Sequence, residues 1–170
     1  ITVSAADVYD PADYDYAYKL LDYMSGNANA NAGTAKLTSD EIDFTVEGGL
    51  LTKYSDYSNS GYKGFAQWNN SNNNRKLTIA LKNIASGTYK LTIFSADNSS
   101  ARGIFDVAAS GTSLGTVSFI AKSATFVKHE LDATFTTDGT SPVEITFVPT
   151  ADAPAKQVFL YSFGLTKVDG

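Results

Sequence analysis

From Lys36 to the end of the chain, apolar residues return at every second position, and that period admits little other than β-structure. Ile42, Phe44 and Val46 alternate with Asp43, Thr45 and Glu47, and Gly48-Gly49 then turns the chain toward Leu50-Leu51. Leu77, Ile79 and Leu81 share one side of KLTIAL. After a turn at Ala85-Ser86-Gly87, Tyr89, Leu91 and Ile93 share one side of TYKLTIFSA. GIFDVAA, LGTVSFIA, TFVKHELDATF, PVEITFV and QVFLYSFGLTKV continue the pattern, divided by DNSSARG, SGTS, TTDGTS and PTADAPAK. Successive side chains of a strand point to opposite faces, so each run carries one apolar side that must be covered. Repeated strands with turn residues between them predict an all-β, antiparallel β-sandwich.

The N-terminal third reads differently. In DPADYDYAYKLLDYMSG, Asp10 can cap, Pro11 suits a first helical turn, and Gly26 suits an exit. Ala17, Leu20, Leu21 and Met24 would then share a face, which predicts one short helix. Tyr14, Tyr16, Tyr18 and Leu20 also alternate, so a strand is the competing reading. NANANAGT follows as a loop of small and polar residues. No linker or internal repeat interrupts the chain. Residues 1–170 are therefore expected to form a single β-sandwich domain, with 1–35 as a helix-and-loop extension.

A hydrophobic share of 43% with 18% charge belongs to a folded body rather than a disordered segment. The net charge of −5, with no cluster among the 13 Lys and Arg residues, argues against nucleic-acid binding. Absence of cysteine excludes thiol chemistry, disulfides and thiolate-bound zinc. No apolar run approaches the roughly 20 residues of a membrane-spanning helix. The opening ITVSAADVYD lacks the basic start and apolar core of a signal peptide, as a mature secreted protein or an excised module would.

Catalytic signals are sparse. His129, the single histidine, shares a strand face with Val127, Leu131, Ala133 and Phe135, and reads as a packed or rim residue. No serine sits in a GxSxG elbow. Of the four glutamates, Glu41 and Glu47 could share a face with Asp43, but no second carboxylate can be set across a cleft from them. The chain is read as a non-enzyme; a small hydrolase or lyase using Glu41 or Glu47 is the minority alternative. Oxygen-rich stretches at Asp97–Ser100 and Ser39–Asp43 could hold a structural calcium, although neither has EF-hand spacing and turn chemistry explains both.

One stretch resists the bland reading. YSDYSNSGYKGFAQWNNSNNNRK sets Tyr54, Tyr57, Tyr62, Phe65 and the only tryptophan, Trp68, among Ser, Asn and Gly. Sugars are recognised by rings on their C–H faces and by amide, Arg or Asp groups on their hydroxyls. Tyr57, Tyr62 and Trp68, interleaved with Asn59, Gln67, Asn69 and Arg75, supply that chemistry. The alternative is that Phe65 and Trp68 plug the sandwich while the asparagines make turns.

From Tyr62 onward, motifs around Asn59, Gly61, Tyr62 and Trp68, then GTYKLTIFSAD (Gly87 to Asp97), Gly111 to Val117, Phe126, and the final strand Gln157 to Val168 follow one order. In that order the chain resembles the galactose-binding-like jelly roll of family 6 and family 35 carbohydrate-binding modules, and β-sandwich modules attached to bacterial polysaccharide lyases and hydrolases. The resemblance implies a non-catalytic, monomeric module that binds polysaccharide, secreted or displayed at the surface beside an appended enzyme. Its cleft would lie between the loops holding Tyr62/Trp68 and Phe126, with Phe126 as a third wall. Family members carry Asn and Asp at the start of the last strand, for sugar and for calcium; here Phe159, Leu160 and Tyr161 stand there. A structural or adhesive module that binds protein is the main alternative.

Overall fold

The alternating runs become strands. The computed structural model describes residues 8–31, 33–70, 75–99, 102–150 and 156–168. Among them are β1 (Tyr16–Lys19), β2 (Ala28–Asn29), β3 (Thr34–Leu37), β4 (Ile42–Glu47), β5 (Leu50–Asn59), β6 (Tyr62–Asn70) and β7 (Lys76–Leu81). There follow β8 (Gly87–Asp97), β9 (Ile104–Ala109), β10 (Thr112–Ser118), β11 (Thr125–Thr137), β12 (Val143–Pro149) and β13 (Lys156–Val168). One sheet runs β11-β8-β13-β6-β5-β2, with β1 also paired to β13; the other runs β10-β9-β12-β7-β4-β3. Every pairing between these strands is antiparallel.

The short N-terminal helix is not formed. A 3-10 turn at Pro11–Asp13, strand β1 and a second 3-10 turn at Leu20–Tyr23 take its place. Asp10 does cap, its side chain accepting the Ala12 N–H at 3.0 Å, so the start signal was real. It is the continuation that fails. Tyr16 to Lys19 pair with Leu165 to Ser162 of β13, which satisfies their backbone groups across a sheet and suits a tyrosine-rich run. Leu20, Leu21 and Met24 still reach the core, by way of the second turn.

The core fills the space between the sheets. Leu91 and Ile93 of β8, Val158, Leu160, Phe163 and Leu165 of β13, and Trp68 of β6 meet Phe44, Leu77, Ile79, Phe105, Ile145 and Phe147 of the opposite sheet. Phe147 and Phe163 stack across the interface with centroids 6.0 Å apart. A bulge in β13 between Leu160 and Ser162 keeps Phe163 and Leu165 inward while Phe159 and Tyr161 face out.

The segment Tyr54 to Asn70 is not a loop. It belongs to a long hairpin, β5 and β6 joined by the two-residue turn Ser60-Gly61. Near its middle the register jumps from Tyr54↔Phe65 to Ser58↔Lys63, so three residues on β5 face one on β6. That one is Gly64 (φ +89°), where a Cβ would press on Leu21. Beyond it β6 leaves β13, whose edge is taken by β1. The hairpin tip is thus free to fold over the sheet, and it does.

Gly87 opens β8 with φ +155°, a conformation that side chains other than glycine's rarely adopt. A Cβ there would also meet Lys167 Cε at 2.7 Å. Gly87→Val is expected to lower stability by about 1–3 kcal/mol, with the backbone supplying most of it because the lysine can move. An unchanged melting temperature would contradict this account.

Candidate functional site

A second apolar layer covers the outer face of the β11-β8-β13-β6-β5 sheet. Phe65, Phe94, Ala96, Phe126, Phe159 and Tyr161 are buried there, with Tyr9, Tyr14, Tyr57 and Tyr62 packed over them. These rings alternate with core residues along the same strands: Phe94 follows Ile93, Phe159 follows Val158, and Phe65 precedes Ala66. β13 and the middle of the sheet are therefore apolar on both faces, which a sandwich strand tolerates only if something lies on the outside.

Two segments supply that cover. Residues 9–14 cross the face, with Tyr9 edge-on to Phe94 and to Tyr161, and the Tyr14 ring seated on Gly164. The Tyr9 N–H donates to the Tyr62 hydroxyl at 2.8 Å, tying this segment to the hairpin tip. Burial pushes the Tyr9 phenol up to about 12, with Tyr161 adding to the effect. The second segment is the tip itself, which brings Tyr57 to within 4.9 Å of Phe159 and Tyr62 onto Phe126.

The Tyr62–Phe126 contact corrects the expected cleft. Their rings stack with centroids 4.0 Å apart and planes within 9°. A sugar between two aromatic walls needs them about 7–8 Å apart, two carbon–carbon contact distances. The two rings occupy each other's faces. Trp68 is likewise no platform: it is fully buried among core side chains, lies 5.7 Å from Phe105, and donates its indole N–H to the Gly48 carbonyl at 3.0 Å. Asn59 is buried beside the hairpin turn, accepting from the Ser60 hydroxyl. Arg75 lies against Gly48 at the other end of β5 from the turn that carries Tyr62.

What the register does bring together is a polar patch beside exposed rings. Residues opposite one another in adjacent strands share a face. Gln67 stands between Thr52 on β5 and Phe159 on β13, and Asn69 between Leu50 and Gln157. Next to these two rows, Tyr54 is 40% exposed and packs 5.6 Å from both Tyr57 and Phe159. Three planar amides, a threonine hydroxyl and an aromatic face thus occupy one side of three adjacent strands. Of the residues expected from sequence, Tyr57, Gln67 and Asn69 lie on this face. Thr52, Tyr54 and Gln157 join them through a register that no single strand discloses.

At the end of the patch, Arg102 is buried with its guanidinium 3.8 Å above the Phe159 ring, and its Nε donates to the Ala96 carbonyl at 2.8 Å. Burial lowers its pKa, against the opposing pull of Tyr57 and Asp97. Asp97 turns inward, accepting the Ser95 hydroxyl at 2.6 Å and meeting His129 Nε2 at 2.8 Å, while the His129 ring packs on Phe119. His129 is therefore a half-buried histidine with a structural partner.

The carboxylates of the other sequence candidates, Glu41, Asp43 and Glu47, each meet a protein group. Glu47 pairs with Lys76 at 3.6 Å, and Glu41 precedes β4 and bonds the Tyr23 hydroxyl rather than sharing Glu47's strand. In the Ser39–Asp43 stretch, the Ser39 hydroxyl donates to the Ile42 carbonyl and Asp43 pairs with Lys82 at 2.9 Å. Asn98 accepts the Ser99 N–H. Among the described residues, no three His, Asp or Glu side chains are grouped to hold a metal ion, and Ser100 lies outside the described residues.

No family model matches the chain, and no curated protein matches it. Its fold is nevertheless that of known modules. A family 35 carbohydrate-binding module from Clostridium thermocellum superposes with a TM-score of 0.52 at 12% identity, over 89% of this chain and 98% of the other. A Paenibacillus xanthan lyase gives 0.56 at 17% identity, over 85% of this chain but 13% of the enzyme. A Podospora anserina GH26-CBM35 β-(1,4)-mannanase gives 0.50 at 18% identity, over 78% of this chain and 29% of that one. The β-sandwich has the jelly-roll fold seen in these carbohydrate-binding modules.

Proposed function

We propose that the protein is a non-catalytic carbohydrate-binding module, which holds a neutral polysaccharide against the outer face of its larger sheet. One observation carries this reading: the exposed Tyr54 ring lies beside the registered rows of Thr52, Gln67, Asn69 and Gln157. Amides donate and accept without the desolvation cost of a charge, and a ring face receives the C–H face of a pyranose. Likeness to solved carbohydrate-binding modules supports the same reading at the level of fold alone. By the same analogy the chain works outside the cell, beside an appended polysaccharide-degrading enzyme, as the segments of the lyase and the mannanase that it matches suggest.

The test is retention on polysaccharide affinity gels beside thermal melts. Tyr54→Ala removes an exposed ring, so the variant should melt within a few degrees of the parent. It should lose retention by about ten- to a hundred-fold in affinity, the equivalent of about 1–3 kcal/mol. Phe105→Ala, deep in the core, should unfold the domain and lose retention for that reason. A parent retained on no polysaccharide, or Tyr54→Ala retained equally, would remove this reading in favour of a protein-binding or structural module.

A further inference from the structure

A separate cavity of about 320 Å³ opens where β1 passes the start of β4 and the end of β7, at a lateral mouth of the sandwich. Its size lies at the lower end of the range for small-ligand sites. β1 contributes Tyr16 and Tyr18, with Asp15 just before it; Tyr23, Glu41 and Asn83 complete most of the wall. This is distant in kind from the outer face: here carboxylates and phenols predominate, where the other patch offers amides.

The charges in the cavity are unequal. Lys82, its one cation, is already engaged, with Nζ 2.9 Å from Asp43 and 2.8 Å from the Ser39 carbonyl. Asp15 spends one oxygen on the Lys167 N–H at 2.7 Å, which leaves the other open. Among the described residues neither Asp15 nor Glu41 forms an ion pair. Tyr18 adds an independent polar group that faces the same space. It is 6% exposed, it lines the cavity, and among the described residues its hydroxyl has no hydrogen-bond partner. Its hydroxyl oxygen is not sealed from the cavity, where it stands as a free hydrogen-bonding group. Burial, then the negative charge of Glu41, drives its pKa upward, and burial with the Glu41 hydrogen bond takes Tyr23 to about 12. The interior thus disfavours further negative charge and favours a cation with hydroxyls.

We propose that this cavity binds an amino sugar whose amine is free and protonated, such as an unacylated hexosamine unit. The ammonium is held by the Asp15 and Glu41 carboxylates beside the Tyr16 and Tyr23 rings, and a ring hydroxyl meets Tyr18 and Asn83. Charge-assisted hydrogen bonds and cation–π contact both require the positive amine, and acetylation removes it. The site is independent of the neutral-polysaccharide face.

The experiment is an amide NMR titration of the full chain with three probes of equal length: a β-1,4 glucosamine trimer, its fully N-acetylated form, and a glucose trimer. The glucosamine trimer should shift the amides of Tyr16, Glu41, Lys82 and Asn83, and bind at least about ten-fold more tightly there than either other probe. Glu41→Gln, an exposed change, should weaken it by about five-fold or more, and Tyr18→Phe should weaken it without altering the fold. Tyr54→Ala should leave it unchanged. Equal affinity for the acetylated trimer at these amides, full binding by Glu41→Gln, or no shift at this cavity would each overturn the assignment. None of these outcomes depends on whether Tyr54→Ala loses polysaccharide retention, so the two sites fail separately.

Discussion

Trp68→Ala is expected to destabilise the domain by about 3–5 kcal/mol, enough to unfold much of the population. The ring is fully buried between the sheets, packs on Phe105, and satisfies the Gly48 carbonyl through its indole N–H. Truncation removes the transfer free energy of a large aromatic, leaves a cavity in a close-packed interior, and orphans a buried acceptor. Trp68→Phe should recover part of the loss, because the ring volume returns while the hydrogen bond does not. Urea or thermal melts decide it. A Trp68→Ala variant that melts with the parent yet loses polysaccharide retention would restore Trp68 as a binding ring.

Asp97→Ala should cost a comparable amount, about 3–5 kcal/mol, through a different route. Asp97 is 2% exposed, and its carboxylate meets the buried Ser95 hydroxyl and the half-buried His129 ring. Without it, two polar groups lose their partner, and the buried Arg102 guanidinium loses the carboxylate that favours its charge. Burying an uncompensated charge is expensive where water cannot reach. Asp97→Asn keeps the shape and an acceptor, and should fall between the two. The comparison of the three proteins by chemical denaturation distinguishes charge from packing: equal losses for Ala and Asn would place the effect in charge. If Asp97→Ala is as stable as the parent, the network is decorative.

The two proposed ligand sites also make opposite demands on charge. The outer patch presents Thr52, Gln67, Asn69 and Gln157, and the Arg102 guanidinium lies over Phe159 at its end. The lateral cavity presents Asp15 and Glu41 with its lysine already paired. A mixed polymer carrying neutral and amine-bearing units could engage both, and variants at Tyr54 and Glu41 would separate the contributions.

Sequence alone determined the β-sandwich, because period-two alternation in Ile42–Val46, Leu77–Leu81, Tyr89–Ile93 and the later runs leaves one apolar side per strand that only a facing sheet can cover. It also marked His129 as a packed or rim residue. Tertiary structure decided whatever depended on which strands become neighbours. β1 was legible as helix or strand, and the free edge of β13 beside it settled the choice. Trp68 and Gln67 are adjacent in sequence and stand on opposite faces, one in the core and one on the outer patch, and alternation alone cannot say which face is which. The stretch Tyr54 to Asn70 mixes rings with polar residues because its hairpin serves both faces and then, past the bulge at Gly64, folds over the sheet. That fold brings Tyr62 onto Phe126, residues 64 positions apart in the chain, and so closes the cleft that their separate motifs implied. Thr52, Gln67 and Phe159 form one row only because three distant segments pair in a particular register, and register is set by long-range burial that no local pattern records.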